Sequence, residues 1–255
     1  MAYKRIIPNF LLVNGEFYTS KKYKKLSYIG EPRNIISILL NKGVDELLIT
    51  PKGYTRFDDV FNDIRDIISL CDVPVSVQGG VETTKQAEKL YDSGVEKIFF
   101  HNAVLQETPV YEKIVAQYGR QAVGISLVVQ KLLFSSQYRY FSMRSQRQLS
   151  GSQLKNLARN LEKRQFIEII LNDLSSDGCF SGWRGTEILK TLEGQAIIPS
   201  CGIKSYAEIS ELLAFNNVVG VSASSLFSYS GLNKGVLVNY PNRQDLERGR
   251  IYGDL

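Results

Sequence analysis

The chain has 255 residues, enough for one large α/β core, and carries a net charge of +5 at pH 7. That mild surplus suits acidic partners or phosphorylated substrates and is too weak to argue for nucleic acid. No apolar run approaches the about 18 residues of a membrane span, and the single histidine, His101, argues against a zinc site or a Ser-His-Asp triad.

The opening MAYKRIIPNF has charge but neither a long apolar core nor a cleavage site, so it does not read as a secretory signal. Cys71, Cys179 and Cys201 are odd in number and lack CxxC spacing, which points to reduced thiols in a cytoplasm. No cofactor and no metal are expected.

Arg5 to Val13 is a near-continuous apolar run closed by Asn14-Gly15, the pattern of a buried parallel strand and a turn. Glu16 to Gly30 is polar, rich in Lys and Tyr, and reads as a loop. Helical periodicity follows over Pro32 to Leu40, a strand over Asp45 to Thr50, and a helix over Phe57 to Ser69 with Asp58 and Asp59 in its first turn. Val73 to Val77 is a strand, Lys85 to Ser93 a helix, Lys97 to Phe100 a strand, Pro109 to Tyr118 a helix and Gln121 to Val129 a strand.

Residues 130–150 break the rhythm with Lys131, Arg139, Arg144 and Arg147 among aromatics, and alternation over Tyr138 to Met143 suggests a small hairpin. This basic excursion at the C-terminal face reads first as a solvated loop, with a lid over an anionic ligand as the alternative. The alternation then resumes with a helix over Gln153 to Arg164, strand Ile167 to Asn172, helix Gly185 to Leu192 and strand Ala196 to Pro199. Helix Ala207 to Phe215, strand Val218 to Ser222 and a polar tail complete it. Eight strands alternating with helices predict a single (β/α)8 barrel over residues 1–255, with its site at the C-terminal ends of the strands.

The chain also repeats itself. Residues 73–105 and 195–227 fall into register 122 positions apart, pairing Gly80 with Gly202, Thr83 with Ser205, Leu90 with Leu212 and Asn102 with Ser224. A glycine turn between a buried strand and a helix N-terminus brings backbone N–H groups close to an anion. One copy would as readily be a tight turn; two at matched spacing favour two phosphate sites.

With the repeat placed, the chain resembles the cyclase subunit of imidazole glycerol phosphate synthase, a two-fold (β/α)8 barrel of histidine biosynthesis. The likeness runs nearly end to end, through KRII at 4–7, VDELLI at 44–49, QGGVET at 78–83, VEKI at 95–98, YGRQAV at 118–123, IEIILND at 167–173, SSDGCFSG at 175–182, SCG at 200–202 and SASSLF at 222–227. The resemblance implies two phosphate sites: Gly79, Gly80 and Asn102 in one half, Asp177, Gly178, Gly202, Ser224 and Ser225 in the other. His101 is a possible ligand contact or a simply hydrogen-bonded histidine.

The family's acid and base are aspartates, and the matching positions here are Leu11 and Val128, which cannot carry a proton. Pro51 and Thr19 stand where a further aspartate and a lysine are expected. No catalytic residue is therefore assigned. The other end of the barrel keeps the family's charged ring, the gate through which ammonia enters from a docked glutaminase subunit: Arg5, Glu46, Lys97 and Glu168. A salt-bridge plug of the barrel floor is the alternative role for these four.

The IP-x-x-LL opening at 7–12 and VLVNYP at 236–241 resemble a narrower branch, cyclase-like proteins of surface-polysaccharide clusters associated with acetamido-sugar amidation. That likeness implies a glutaminase partner at the N-terminal face, a sugar amidotransferase, and a phosphorylated or nucleotide-linked small molecule as ligand. A histidine-pathway cyclase and a non-enzymatic scaffold are the alternatives.

Overall fold

The computed structural model describes residues 4–101, 110–131, 138–141, 146–149, 168–230 and 235–241, together with Ser152, Asn156 and Arg159. Eight parallel strands form the core: β1 (Arg5–Val13), β2 (Leu47–Pro51), β3 (Val75–Gln78), β4 (Lys97–Phe100), β5 (Val123–Lys131), β6 (Glu168–Asp173), β7 (Ala196–Ser200) and β8 (Gly220–Ala223). Each pairs with its successor, and β8 returns to pair with β1 through Arg5↔Gly220 to Pro8↔Ala223, so the sheet closes into the expected barrel. Closure removes every open edge from the barrel. Among the described residues, no helix is long and apolar enough to cross a membrane.

The strands carry two apolar faces because both are buried. The outer face packs the surrounding helices through residues such as Ile6, Ile49, Ile98 and Ile169. The inner face is layered by the two-residue period of a strand. Arg5, Ile7, Asn9 and Leu11 on β1 are matched by Glu46, Leu48 and Thr50 at β2, by Lys97 and Phe99 on β4, and by Glu168, Ile170 and Asn172 on β6. Parallel strands place equivalent steps at one height. A charged layer at the N-terminal end therefore lies beneath an apolar one, which lies beneath a polar one.

Two expectations are corrected. The segment Glu16 to Gly30 is not a loop but an antiparallel hairpin, Glu16–Lys21 against Lys25–Gly30, built onto the end of β1 through Leu11↔Tyr18 and Val13↔Glu16. Its polar composition hides a two-residue alternation that buries Phe17 and Thr19, with the Phe17 ring stacked 4.9 Å from that of Phe10. Strand β5 also runs on to Lys131 before pairing with Tyr138–Phe141, which in turn pairs with Gln146–Leu149. The expected helix over Gln153 to Arg164 lies almost wholly outside the described residues.

Helix ends preserve the internal repeat. Thr83 caps the helix Thr84–Asp92 by accepting Gln86 N–H, and Ser205 caps Tyr206–Leu213 by accepting Glu208 N–H. Those pairs stand 122 positions apart, and both present a helix N-terminus to the C-terminal mouth.

Candidate functional site

At the N-terminal mouth the four charged side chains form one connected ion-pair chain. Arg5 reaches Glu46 and Glu168 at 2.7 Å each, and Lys97 reaches Glu168 at 2.6 Å. Ser76 Oγ donates to the other oxygen of Glu46 at 2.6 Å. Burial raises the Glu46 pKa above its ordinary value, against the pull of Arg5 and Ser76. Burial also opposes charge on Glu168, but Lys97 and Arg5 together overcome it and lower its pKa. The arrangement is neutral in sum, two charges of each sign, which is how a barrel floor can hold ions at all.

Above this ring Ile7, Leu48, Phe99, Ile170 and Ile198 form a separate apolar cluster inside the barrel. The Phe99 ring leans on Gly124, where an added Cβ would lie 2.4 Å from it. Next comes a hydrogen-bonded polar layer: Gln78 Nε2 and Asn172 Nδ2 both donate to Ser126 Oγ at 3.0 Å, and Thr50 Oγ1 donates to Asn9 Oδ1 at 3.0 Å. Gln78 Oε1 and Ser222 Oγ in this layer are buried with no hydrogen-bond partner among the described residues.

At the C-terminal mouth, Asp177, Gly178, Gly202, Ser224 and Ser225 line one cavity together with Leu11, Ser20, Tyr23 and Cys201. Five of the sequence-predicted phosphate residues thus converge in the second half of the barrel. Gly79 and Gly80 lie at the end of β3 in the first half, with positive φ of 75° and 74°. Asn102 lies outside the described residues. His101 sits directly on Gly79, whose missing Cβ would lie 2.3 Å from the imidazole. Burial pushes the His101 pKa down to about 4, against a hydrogen bond with the Ser126 backbone that favours the charged form. Leu11 is buried, lines the cavity and has no ionisable atom. Val128, half-buried on β5, pairs in register with Asn172. Thr19 is engaged with the Tyr229 hydroxyl at 2.9 Å.

Residues that sequence reasoning missed complete the second-half cradle. The Asp177 carboxylate accepts Ser20 O–H at 2.6 Å and Tyr23 N–H at 2.9 Å, while its carbonyl accepts Lys22 N–H at 3.0 Å. Burial raises its pKa against these bonds. The hairpin comes so close here that a Cβ on Gly178 would fall 2.0 Å from Ser20 O, so only glycine fits. Tyr23 turns its hydroxyl into the mouth, 3.3 Å from both Asn172 Oδ1 and Cys201 Sγ. Burial holds the Tyr23 hydroxyl and the Cys201 thiol well above their ordinary pKa values. Cys201 keeps φ +75° without being glycine, a strain of about 1–3 kcal/mol.

Two further buried carboxylates shape the loop between β6 and the helix Thr186–Thr191. Asp173 accepts Ser175 N–H at 2.9 Å, Ser176 O–H at 2.6 Å and Arg184 N–H at 3.2 Å. Glu208 accepts Trp183 N–H at 2.6 Å and Lys204 N–H at 2.8 Å, tying that loop to the second glycine turn. The Ser-x-x-Glu spacing of 205–208, at the repeat offset from Thr-x-x-Gln at 83–86, was the signal available for Glu208. No local pattern marks Ser20 or Tyr23.

A family model described as histidine biosynthesis protein matches residues 5–233. A Leptospira interrogans protein provisionally named imidazole glycerol phosphate synthase subunit HisF is 30% identical over 252 residues, covering 97% of this chain and 98% of its own. A Pseudomonas aeruginosa protein provisionally named as the hisF2 subunit is 30% identical, covering 98% of this chain and all of its own. The imidazole glycerol phosphate synthase subunit HisF of Mannheimia succiniciproducens is 25% identical over 97% of this chain.

Proposed function

The chain belongs to the histidine biosynthesis protein family, and from that premise we propose that it is the synthase-side subunit of a glutamine amidotransferase complex. It docks a glutaminase at the N-terminal face of the barrel and receives ammonia through the ring of Arg5, Glu46, Lys97 and Glu168. The ammonia serves amidation of a surface-polysaccharide sugar, forming an acetamidino group, and passes to a separate sugar amidotransferase. The barrel's own cyclase chemistry is lost. The two half-barrel cradles hold a phosphorylated or nucleotide-linked small molecule, and the complex works in the cytoplasm.

One observation carries this reading: all four charged residues are present and joined in one ion-pair chain while, by the resemblance, Leu11 and Val128 stand at the positions of the family's acid and base. Leucine and valine cannot move a proton, so a retained entrance without a retained reaction centre favours supply over synthesis. The likeness at 7–12 and 236–241 to the polysaccharide-cluster branch supports the sugar assignment.

The test is glutamine hydrolysis by the cognate glutaminase with and without this protein, beside an ammonia-driven cyclase assay on the imidazole-pathway substrate. Stimulated hydrolysis without cyclase turnover is expected, and Lys97→Ala should disturb the stimulation. Cyclase turnover would overturn the reading.

A further inference from the structure

We infer that the hairpin turn Lys21 to Lys25 is a binding site for a diphosphate-bearing anion, presented at the C-terminal mouth of the barrel. The sequence there is Lys-Lys-Tyr-Lys-Lys, and all four lysines are exposed. Among the described residues, none of them is in an ion pair. Lys21 and Lys25 face each other directly across the two strands, a like-charge pairing that destabilises a hairpin.

The backbone is equally costly. Lys24 N–H closes the turn on Lys21 O at 3.1 Å, and both central residues, Lys22 and Tyr23, have positive φ of 55° and 56°. Turns of this shape ordinarily use Asn-Gly, which tolerates that geometry. A segment that breaks charge pairing and turn chemistry in the same five residues marks a functional element, provided something else holds it in place.

The surrounding structure does hold it. Asp177 takes Ser20 O–H, Tyr23 N–H and, through its carbonyl, Lys22 N–H. Lys52 Nζ donates to Tyr23 O at 2.9 Å. The Tyr23 side chain beneath is the anchor, and among the described residues the four ammonium groups take part in no ion pair.

The charge count sets the ligand class. Four lysines on one turn exceed what a single phosphate neutralises, and match two linked phosphate groups with charge-assisted contacts to each. Ser20 and Tyr23 line the second-half cavity from the same hairpin, so a diphosphate on the turn extends toward the Gly202 cradle. The inference rests on the proposal that the barrel binds a phosphorylated or nucleotide-linked molecule, and names where its diphosphate is held.

Calorimetric titration of the whole chain with inorganic phosphate, inorganic pyrophosphate and uridine diphosphate tests it. Wild type should bind pyrophosphate at least about tenfold more tightly than phosphate. Lys22→Ala/Lys24→Ala should lose about tenfold or more in pyrophosphate affinity, with a shallower salt dependence and unchanged phosphate binding. Lys113→Ala/Lys190→Ala, the same charge change at exposed helix positions, should leave pyrophosphate binding as in wild type. Uridine diphosphate binding tighter than pyrophosphate assigns the anion to a nucleotide; equal binding assigns the site to diphosphate itself, and both support it. Pyrophosphate no tighter than phosphate, or equal losses in the two double variants, would overturn it. Pyrophosphate binding through these lysines with no phosphate binding at all supports the lysine site while refuting the glycine cradles.

Discussion

Glu208 accepts the backbone N–H of Trp183 at 2.6 Å, across 25 residues of chain. Among the described residues, the side chain of its repeat counterpart Gln86 makes local bonds alone, accepting Glu82 N–H and Thr83 N–H. Glutamate at the repeat position of Gln86 thus keeps one local bond, to Lys204 N–H, and exchanges the capping bond for a tie between two loops at the second-half cavity.

Removing that tie has an asymmetric cost. Glu208→Ala leaves two N–H groups without their carboxylate, one of them on buried Trp183, and should destabilise by about 3 kcal/mol. Gln86→Ala loses an exposed cap and should cost about 1 kcal/mol. Thermal melts of the two variants check the ranking; equal shifts would mean that the tie to Trp183 contributes nothing.

Asp177 holds the hairpin by side-chain bonds that a shorter residue cannot make. In Asp177→Ala the Tyr23 amide loses its carboxylate acceptor and should exchange with solvent about 10–100-fold faster, while Lys22 N–H keeps the main-chain carbonyl of residue 177. Hydrogen exchange read by mass spectrometry on the hairpin peptide is the measurement. Unchanged exchange would show that Tyr23 burial alone holds the turn.

The axial packing of Phe99 against Gly124 predicts a coupled pair. Gly124→Ala puts a methyl 2.4 Å from the Phe99 ring and should cost about 1–3 kcal/mol by overpacking. In a Phe99→Leu background the same substitution should cost less, since the ring it meets is gone. Denaturant unfolding of the four-member cycle would reveal a coupling of about 1 kcal/mol; strict additivity would place the clash elsewhere.

His101 predicts a pH dependence of definite sign. Its pKa falls from 6.5 to about 4 on folding, chiefly through burial. The unfolded chain therefore binds a proton before the folded one does as pH drops through that interval. Stability is full above pH 6.5 and declines by up to about 3 kcal/mol towards pH 4. His101→Gln should flatten that part of the stability–pH profile, and a profile as steep as wild type would exclude His101 as its source.

Much of the barrel was legible because its information is local. Alternation within β1, β4 and β6 writes charged, apolar and polar layers in sequence order, and parallel pairing then stacks them. The hairpin after β1 was missed since its lysines and tyrosines outweigh a short alternation that buries only a few side chains. Asp177 and Gly178 were legible as a matched motif and do line the cavity at the C-terminal mouth, but their contacts with Ser20 O–H and the Ser20 carbonyl were not foreseeable from motif or spacing.

What the sequence by itself determined is the closed (β/α)8 architecture, its 122-residue repeat, the charges at the strand starts, and apolar side chains at Leu11 and Val128 on β1 and β5. Each of these is a property of one strand or one turn, or of two copies of the same pattern. Only the tertiary structure decided that Arg5 and Lys97 share Glu168, that Phe99 fills the axis above them, and that Asp177 latches a hairpin 157 positions away at Ser20. Such contacts depend on which side chain fills a given volume once the barrel has closed, and hydrogen-bond geometry between distant segments leaves no periodic trace in the chain.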